Sequence, residues 1–158
     1  MADLNSIKPR NRQTGAAAIE FALLFLLFFV LFYALVSYAF VFMLQNAFVH
    51  AAEEGARAAI SVDPLAYASN SNYINNGVTP EVRNTVGAAL DWLPSKAKAH
   101  ALGVNNGNVQ VSVSDNVLTV KIIYANYRSD PLLPMLNFPG FGPIIPTSLQ
   151  GRAILKLS

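Results

Sequence analysis

The chain contains no cysteine. Disulfide frameworks, thiolate metal sites and cysteine nucleophiles are therefore excluded together, and stability must come from packing or assembly. Charge is scarce, at 13% of residues, and there are only two histidines and one tryptophan. Catalysis needs titratable groups that converge. Here His50 and His100 stand far apart, and Asp63, Asp91, Asp115 and Asp130 sit beside turns, helix ends or prolines, where carboxylates make local hydrogen bonds. Phosphate-binding glycine loops, metal-ligand spacings and nucleophile elbows are missing as well. An enzyme is not expected, nor is a cofactor or a metal.

The formal charge of +2 hints at an anionic partner, but its placement removes the hint. Lys8, Arg10 and Arg12 against Asp3 put +2 into the first fifteen residues, leaving eight basic and eight acidic side chains in the rest. A nucleic-acid surface needs clustered basic residues, so no nucleic-acid partner is expected.

What the sequence does have is apolar length. From Phe21 through Leu44 no residue is charged, and Ser37 is the one small polar side chain. At about 1.5 Å per residue this run exceeds a hydrocarbon core of about 30 Å. A secretory signal peptide with a cut near Val49-His50-Ala51 fits poorly, because its apolar core spans only about 7–15 residues. Basic residues precede the run, while Glu53, Glu54 and Arg57 follow it. The positive-inside bias then puts the N-terminus in the cytoplasm and the C-terminal part outside it.

Aromatic residues crowd this run, and most are expected to face acyl chains. Ala34, Ser37 and Ala39, with Ala16, Ala17 and Ala18, offer small faces for helix approach.

One acid breaks the pattern. Glu20 lies at the head of the run, where a carboxylate is costly without a partner. A cut between Gly15 and Ala16 would create an α-amino group one helical turn away, at i, i+4 spacing. Gly15, lacking a Cβ, would let the backbone enter a protease cleft closely.

The string Gly15-Ala16-Ala17-Ala18-Ile19-Glu20-Phe21 after a basic leader resembles the class III signal of type IV prepilins, in its tight-adherence (Tad/Flp) branch. Ala51-Ala52-Glu53-Glu54-Gly55-Ala56-Arg57 is similar to the helix end of TadE-like pseudopilins, with Glu54, Gly55 and Arg57 as its motif positions. The resemblance covers residues 12–60.

It implies cleavage after Gly15 by a prepilin peptidase and a role for Glu20 and Phe21 in assembly. The implied partners are other pilins (TadF-like minor subunits and the Flp major pilin), an inner-membrane assembly platform and the lipid bilayer. The implied location is a bacterial inner membrane, crossed once, with the exported part periplasmic, extracellular or in the pilus. The alternative is an uncleaved signal anchor whose exported domain binds a partner or ligand.

The pattern predicts a basic leader at 1–15, a membrane helix with its extension at 16–61, and a small exported α+β domain at 62–158. Glu53 and Arg57 stand at a favourable i, i+4 spacing. Gly55 marks either a close approach or a bend. Asp63-Pro64 stops the helix, and the Asn- and Ser-rich stretch 69–77 reads as a linker.

Thr79-Pro80 reads as an N-cap with proline at the first helical position. Val82, Val86, Leu90 and Leu93 then define an amphipathic helix up to Pro94, with Trp92 as a core or helix–sheet anchor. Ser95–Leu102 adds a short helix that Gly103 ends.

Val109, Val111 and Val113 alternate with polar residues, as do Leu118, Val120, Ile122 and Tyr124 after an Asp115-Asn116 turn. They predict a β-hairpin, and Leu149, Gly151, Ala153, Leu155 and Leu157 predict a third strand. The fold class is α+β: a long N-terminal transmembrane helix followed by a small helix-plus-antiparallel-sheet domain, the layout of a pilin. The proline-rich segment 131–146 is expected to cap the sheet. Its sharper alternative is an apolar contact with a neighbouring subunit through Phe138, Phe141, Ile144 and Ile145.

Overall fold

A computed structural model describes residues 14–132 and 145–157. Phe138, Phe141 and Ile144, and the basic leader up to residue 13, lie outside the described residues. By compactness the chain divides into two units, Met1–Tyr38 and Ala39–Ser158. One helix, α1 (Thr14–Ala58), runs through the division.

In the first unit α1 is apolar on nearly every side, and its large side chains are exposed: Phe21 is 69% accessible, Leu27 68% and Phe28 62%. A helix with no polar face has no preferred side to bury in water, and such a surface suits lipid or other helices.

In the second unit the later part of α1 belongs to the core. Val41, Leu44, Phe48, Ala51, Ala52 and Ala56 are buried, spaced at three and four residues so that they share one helix face. A 3₁₀ turn at Ala59–Ser61 ends the helix, and Asp63 caps the turn Pro64–Ala66 by accepting a hydrogen bond from the Leu65 N–H at 2.9 Å.

The stretch read as a linker is helical instead. Ser69 caps α2 (Asn70–Asn72) by accepting from the Asn72 N–H, and a π-helical turn, Tyr73–Val78, runs directly into α3 (Thr79–Ala89). Thr79 is thus inside a helical run and caps nothing. Its N–H donates to the Ile74 carbonyl, the wide i→i−5 bond of a π turn. Pro80 explains the widening, because its ring would clash with the carbonyl four residues earlier in a regular helix. Tyr67 packs against Gly77, where a Cβ would lie 2.7 Å from the ring Cζ.

α3 ends at Ala89 rather than at Pro94, yet Val82, Val86, Leu90 and Leu93 are all buried. Trp92 is not an anchor: it is 55% exposed, since the chain leaves the helical path before it. α4 (Ser95–Ala101) follows, and Gly103 ends it with φ +68, a conformation that glycine adopts without strain.

The sheet is antiparallel in the order β1 (Gln110–Ser114), β2 (Val117–Tyr124), β3 (Leu149–Lys156). Asp115 and Asn116 take φ of 51° and 61°, the paired positive values of a tight hairpin turn. Register pairs Val113 with Leu118 across the hairpin, and Leu118 with Leu155 on the other side. Leu118, Val120, Ile122 and Tyr124 are fully buried, and Lys121 and Arg152 pair on the opposite face. The fold is α+β: a long N-terminal helix with a helix-and-antiparallel-sheet head.

Two glycines let the head close. At Gly151 of β3 a Cβ would overlap the Phe48 carbonyl of α1, so the helix backbone rests directly on the sheet. At Gly55 of α1 a Cβ would lie 2.7 Å from Val86 Cγ2 and 3.2 Å from Val82 Cγ1 of α3. Close approach, and not a bend, is the reason for Gly55.

Candidate functional site

Gly15 and Ala16 lie in the first turn of α1, which has no acidic residue there. The first four N–H groups of a helix have no intrahelical acceptor, so this turn unwinds at little cost. A Cβ at Gly15 would meet nothing within 4 Å. Ala16 and Glu20 are one turn apart on one face, and Glu20 is exposed.

Phe21 starts a ladder of rings. Phe21 stacks on Phe25 at 6.2 Å, Phe25 on Phe29 at 6.3 Å and Phe29 on Tyr33 at 6.4 Å, with Phe28 on Phe32 at 6.2 Å beside them. Each step is i, i+4, the spacing at which helix side chains meet.

At the other end of α1, Glu54 and Arg57 point outward while Gly55 is buried. Among the described residues Glu54 has a neighbour in His50, whose Nδ1 lies 3.6 Å from Glu54 Oε1. Glu53 and Arg57 form no ion pair despite their spacing. Arg57 stands in the last turn, where a cation offsets the negative end of the helix dipole.

Sequence reasoning missed a second cluster on the head. His100 Nε2 lies 2.8 Å from Asp130 Oδ2, and Lys96 pairs with the other carboxylate oxygen. The imidazole stacks nearly parallel on Tyr124, with centroids 5.1 Å apart, and the Tyr124 hydroxyl donates to the Asp130 carbonyl at 3.0 Å. The Asp130 carboxylate is therefore held by α4, while its backbone N–H makes a local turn bond to the Asn126 carbonyl at 3.2 Å. The hydrogen bond from Lys96 holds its carboxyl below the usual carboxylate range, and burial raises the Tyr124 phenol.

Nearby, Arg128 donates to the Ile145 carbonyl from Nε and Nη2, at 3.2 and 2.7 Å. Ile145 is half-buried against the core. The cluster joins α4 to the chain beyond β2, a long-range contact with no local signal in the sequence. No three metal-ligating side chains come together among the described residues.

A long apolar helix that continues into the core of a small helix-on-sheet head defines a pilin-like, membrane-associated class of protein. Within it, residues 15–57 match the family model of TadE-like proteins, so this segment is similar to that family. No curated protein and no solved structure matches the chain. The matched segment runs from Gly15 to Arg57, so it takes in the first turn of α1, Glu20, the ring ladder and the Glu54-Gly55-Arg57 end.

Proposed function

We propose that this protein is a minor pilin, or pseudopilin, required for assembly of a tight-adherence type IV pilus. In this reading it is a structural subunit and not an enzyme. The chemistry is done to it: a prepilin peptidase cuts after Gly15, and the new Ala16 amine pairs with Glu20 within a subunit or between neighbours. Burial disfavours each ion alone, while an opposite charge nearby favours both.

The single observation that carries the reading is the TadE-like match over residues 15–57, which begins at the expected cut. The exposed Gly15 in the first turn of α1 supports it, because the first N–H groups of a helix have no intrahelical acceptor and this turn can open into the extended strand a protease needs. The charge-free run Phe21–Leu44 supports a single crossing of the inner membrane. The basic residues before it support a cytoplasmic N-terminus and a periplasmic or extracellular head. Other pilins, TadF-like minor subunits and an inner-membrane platform are the partners this role needs.

N-terminal sequencing of the full chain extracted from membranes tests the reading. Ala16 as the first residue is expected. A chain that begins at Met1 or Ala2 while pili form normally overturns processing and favours the uncleaved anchor.

A further inference from the structure

The head keeps some of its cations engaged and leaves others open. Lys96 and Lys98 pair with Asp130 and Asp91, and Arg83 and Arg128 donate to backbone carbonyls. Lys121, Arg152 and Lys156 form no ion pair among the described residues, and all three stand on the outer face of the sheet, away from α1. Register fixes their arrangement. Lys121 of β2 is opposite Arg152 of β3, the next outward row sets Thr119 beside Ile154, and the last sets Val117 beside Lys156. On the β1 side these rows continue into glutamine and two serines. The face thus carries three cations and no carboxylate, and Asp115 stands beyond it in the hairpin turn.

Folding does not account for this pattern. Like charges directly opposite each other destabilise an antiparallel pair, and Lys121–Arg152 is such a pair. Lysine on an edge strand guards against stray strand pairing, which explains Lys156 but not Lys121, on the central strand. Ile154 lies between Arg152 and Lys156 on the same face and is 58% exposed, so water meets an apolar centre flanked by cations.

We propose that the outer face of the sheet is a docking surface for an acidic protein partner. Charge complementarity selects the partner's chemistry: Arg152 takes a carboxylate through its planar fork, with Lys121 beside it. Lys156 takes a second carboxylate about 13 Å along β3, four residues at the strand rise. Ile154 and the Thr119 hydroxyl between them meet an apolar or polar neutral side chain, giving the apolar centre and polar rim of a protein interface. A membrane-headgroup site draws on clusters of about four to eight cations, more than this face holds. The proposal is independent of processing at Gly15, because it concerns the side of the sheet opposite α1.

The absence of cysteine makes the test direct. The full chain is reconstituted in phosphatidylcholine nanodiscs as I154C or, as a control, V104C, a position 87% exposed and off the sheet. Labelling by a water-soluble maleimide is timed with and without poly-L-glutamate, the carboxylate probe. Poly-L-glutamate is expected to slow labelling of I154C several-fold and to leave V104C unchanged, and salt at about 0.5 M, where screening is short-ranged, should remove the effect. Adding K121Q or R152Q to I154C should abolish most of the protection while thermal unfolding stays that of the parent, whereas R57Q should keep it. Unchanged labelling of I154C, equal slowing of V104C, or equal loss of protection from R57Q and R152Q overturns the proposal. So does slowing without polymer: by phosphatidylglycerol in the nanodisc, which assigns the face to lipid, or by raised protein concentration, which assigns it to a second copy.

Discussion

Gly55 of α1 and Val86 of α3 meet so closely that a β-carbon on the glycine would sit 2.7 Å from Val86 Cγ2. The helix end shared with TadE-like proteins is therefore a seat for α3, and the glycine trades helix propensity for that approach. The Gly55→Ala variant gains about 1 kcal/mol of propensity but overpacks the seat by about 1–3 kcal/mol, so a net loss of about 1 kcal/mol is expected. Denaturant unfolding of the full chain in detergent measures it. Adding Val86→Ala should recover part of the loss, so the double variant is less destabilised than the sum of the singles. An increase in stability for Gly55→Ala alone would show that Val86 yields without cost.

Gly151 meets a harder neighbour. The atoms a side chain would strike there are the Phe48 carbonyl and the Val49 N of α1, and backbone cannot rotate aside as a valine methyl can. Gly151→Val should therefore cost more than Gly55→Ala, about 3 kcal/mol. It should also lower Tm and expose the half of α1 beyond Ala39 to hydrogen exchange. Protection that is unchanged there would mean the helix does not rest on β3.

These two contacts also show what the sequence could tell. The strands were legible because Leu118, Val120, Ile122 and Tyr124 obey a period of two, and the turn because Asp115-Asn116 tolerates positive φ. Gly55 was recognisable as unusual, but its reason lay in α3, more than twenty residues on. Residues 69–78 misled because asparagine and serine favour turns in isolation, whereas here the Ser69 cap and the Tyr67–Gly77 contact hold them helical. The His100–Asp130 pair had no local signal at all, since tertiary packing alone brings α4 beside the chain after β2.

Asp130 should make stability depend on acid. Its folded pKa is lowered, first by the Lys96 hydrogen bond, and Asp91 is lowered likewise by its bond to Lys98. A depressed carboxylate contributes stability that is full above its unfolded pKa of about 3.9. That contribution disappears as pH falls through the folded value. Below about pH 4 the wild type should therefore lose stability more steeply than Asp130→Asn, which has no proton to take up. Thermal unfolding of both chains between pH 3 and 7 is the measurement, and parallel curves would exclude a role for Asp130.

Glu20→Gln addresses the charge itself. Glutamine keeps the length and a hydrogen-bonding end but removes the negative charge, and it lowers the cost of insertion, which for an acid is about 2.5–3.5 kcal/mol at the bilayer centre. The variant should therefore reach the membrane at least as well as the wild type, as carbonate-resistant protein. It should still lose its cut only if the peptidase reads the acid. Assembly is a different matter: if the chain is cut and assembles as proposed, the Ala16 amine of the variant enters a helix contact with no counter-charge, and an unpaired buried ion is strongly disfavoured. Normal insertion with pilus counts reduced at least tenfold, a loss of about 1.4 kcal/mol or more if assembly tracks the contact equilibrium, is the expected result. Wild-type pilus counts with the leader removed would mean that the amine finds its counter-charge elsewhere, and Glu20 would lose its place in assembly.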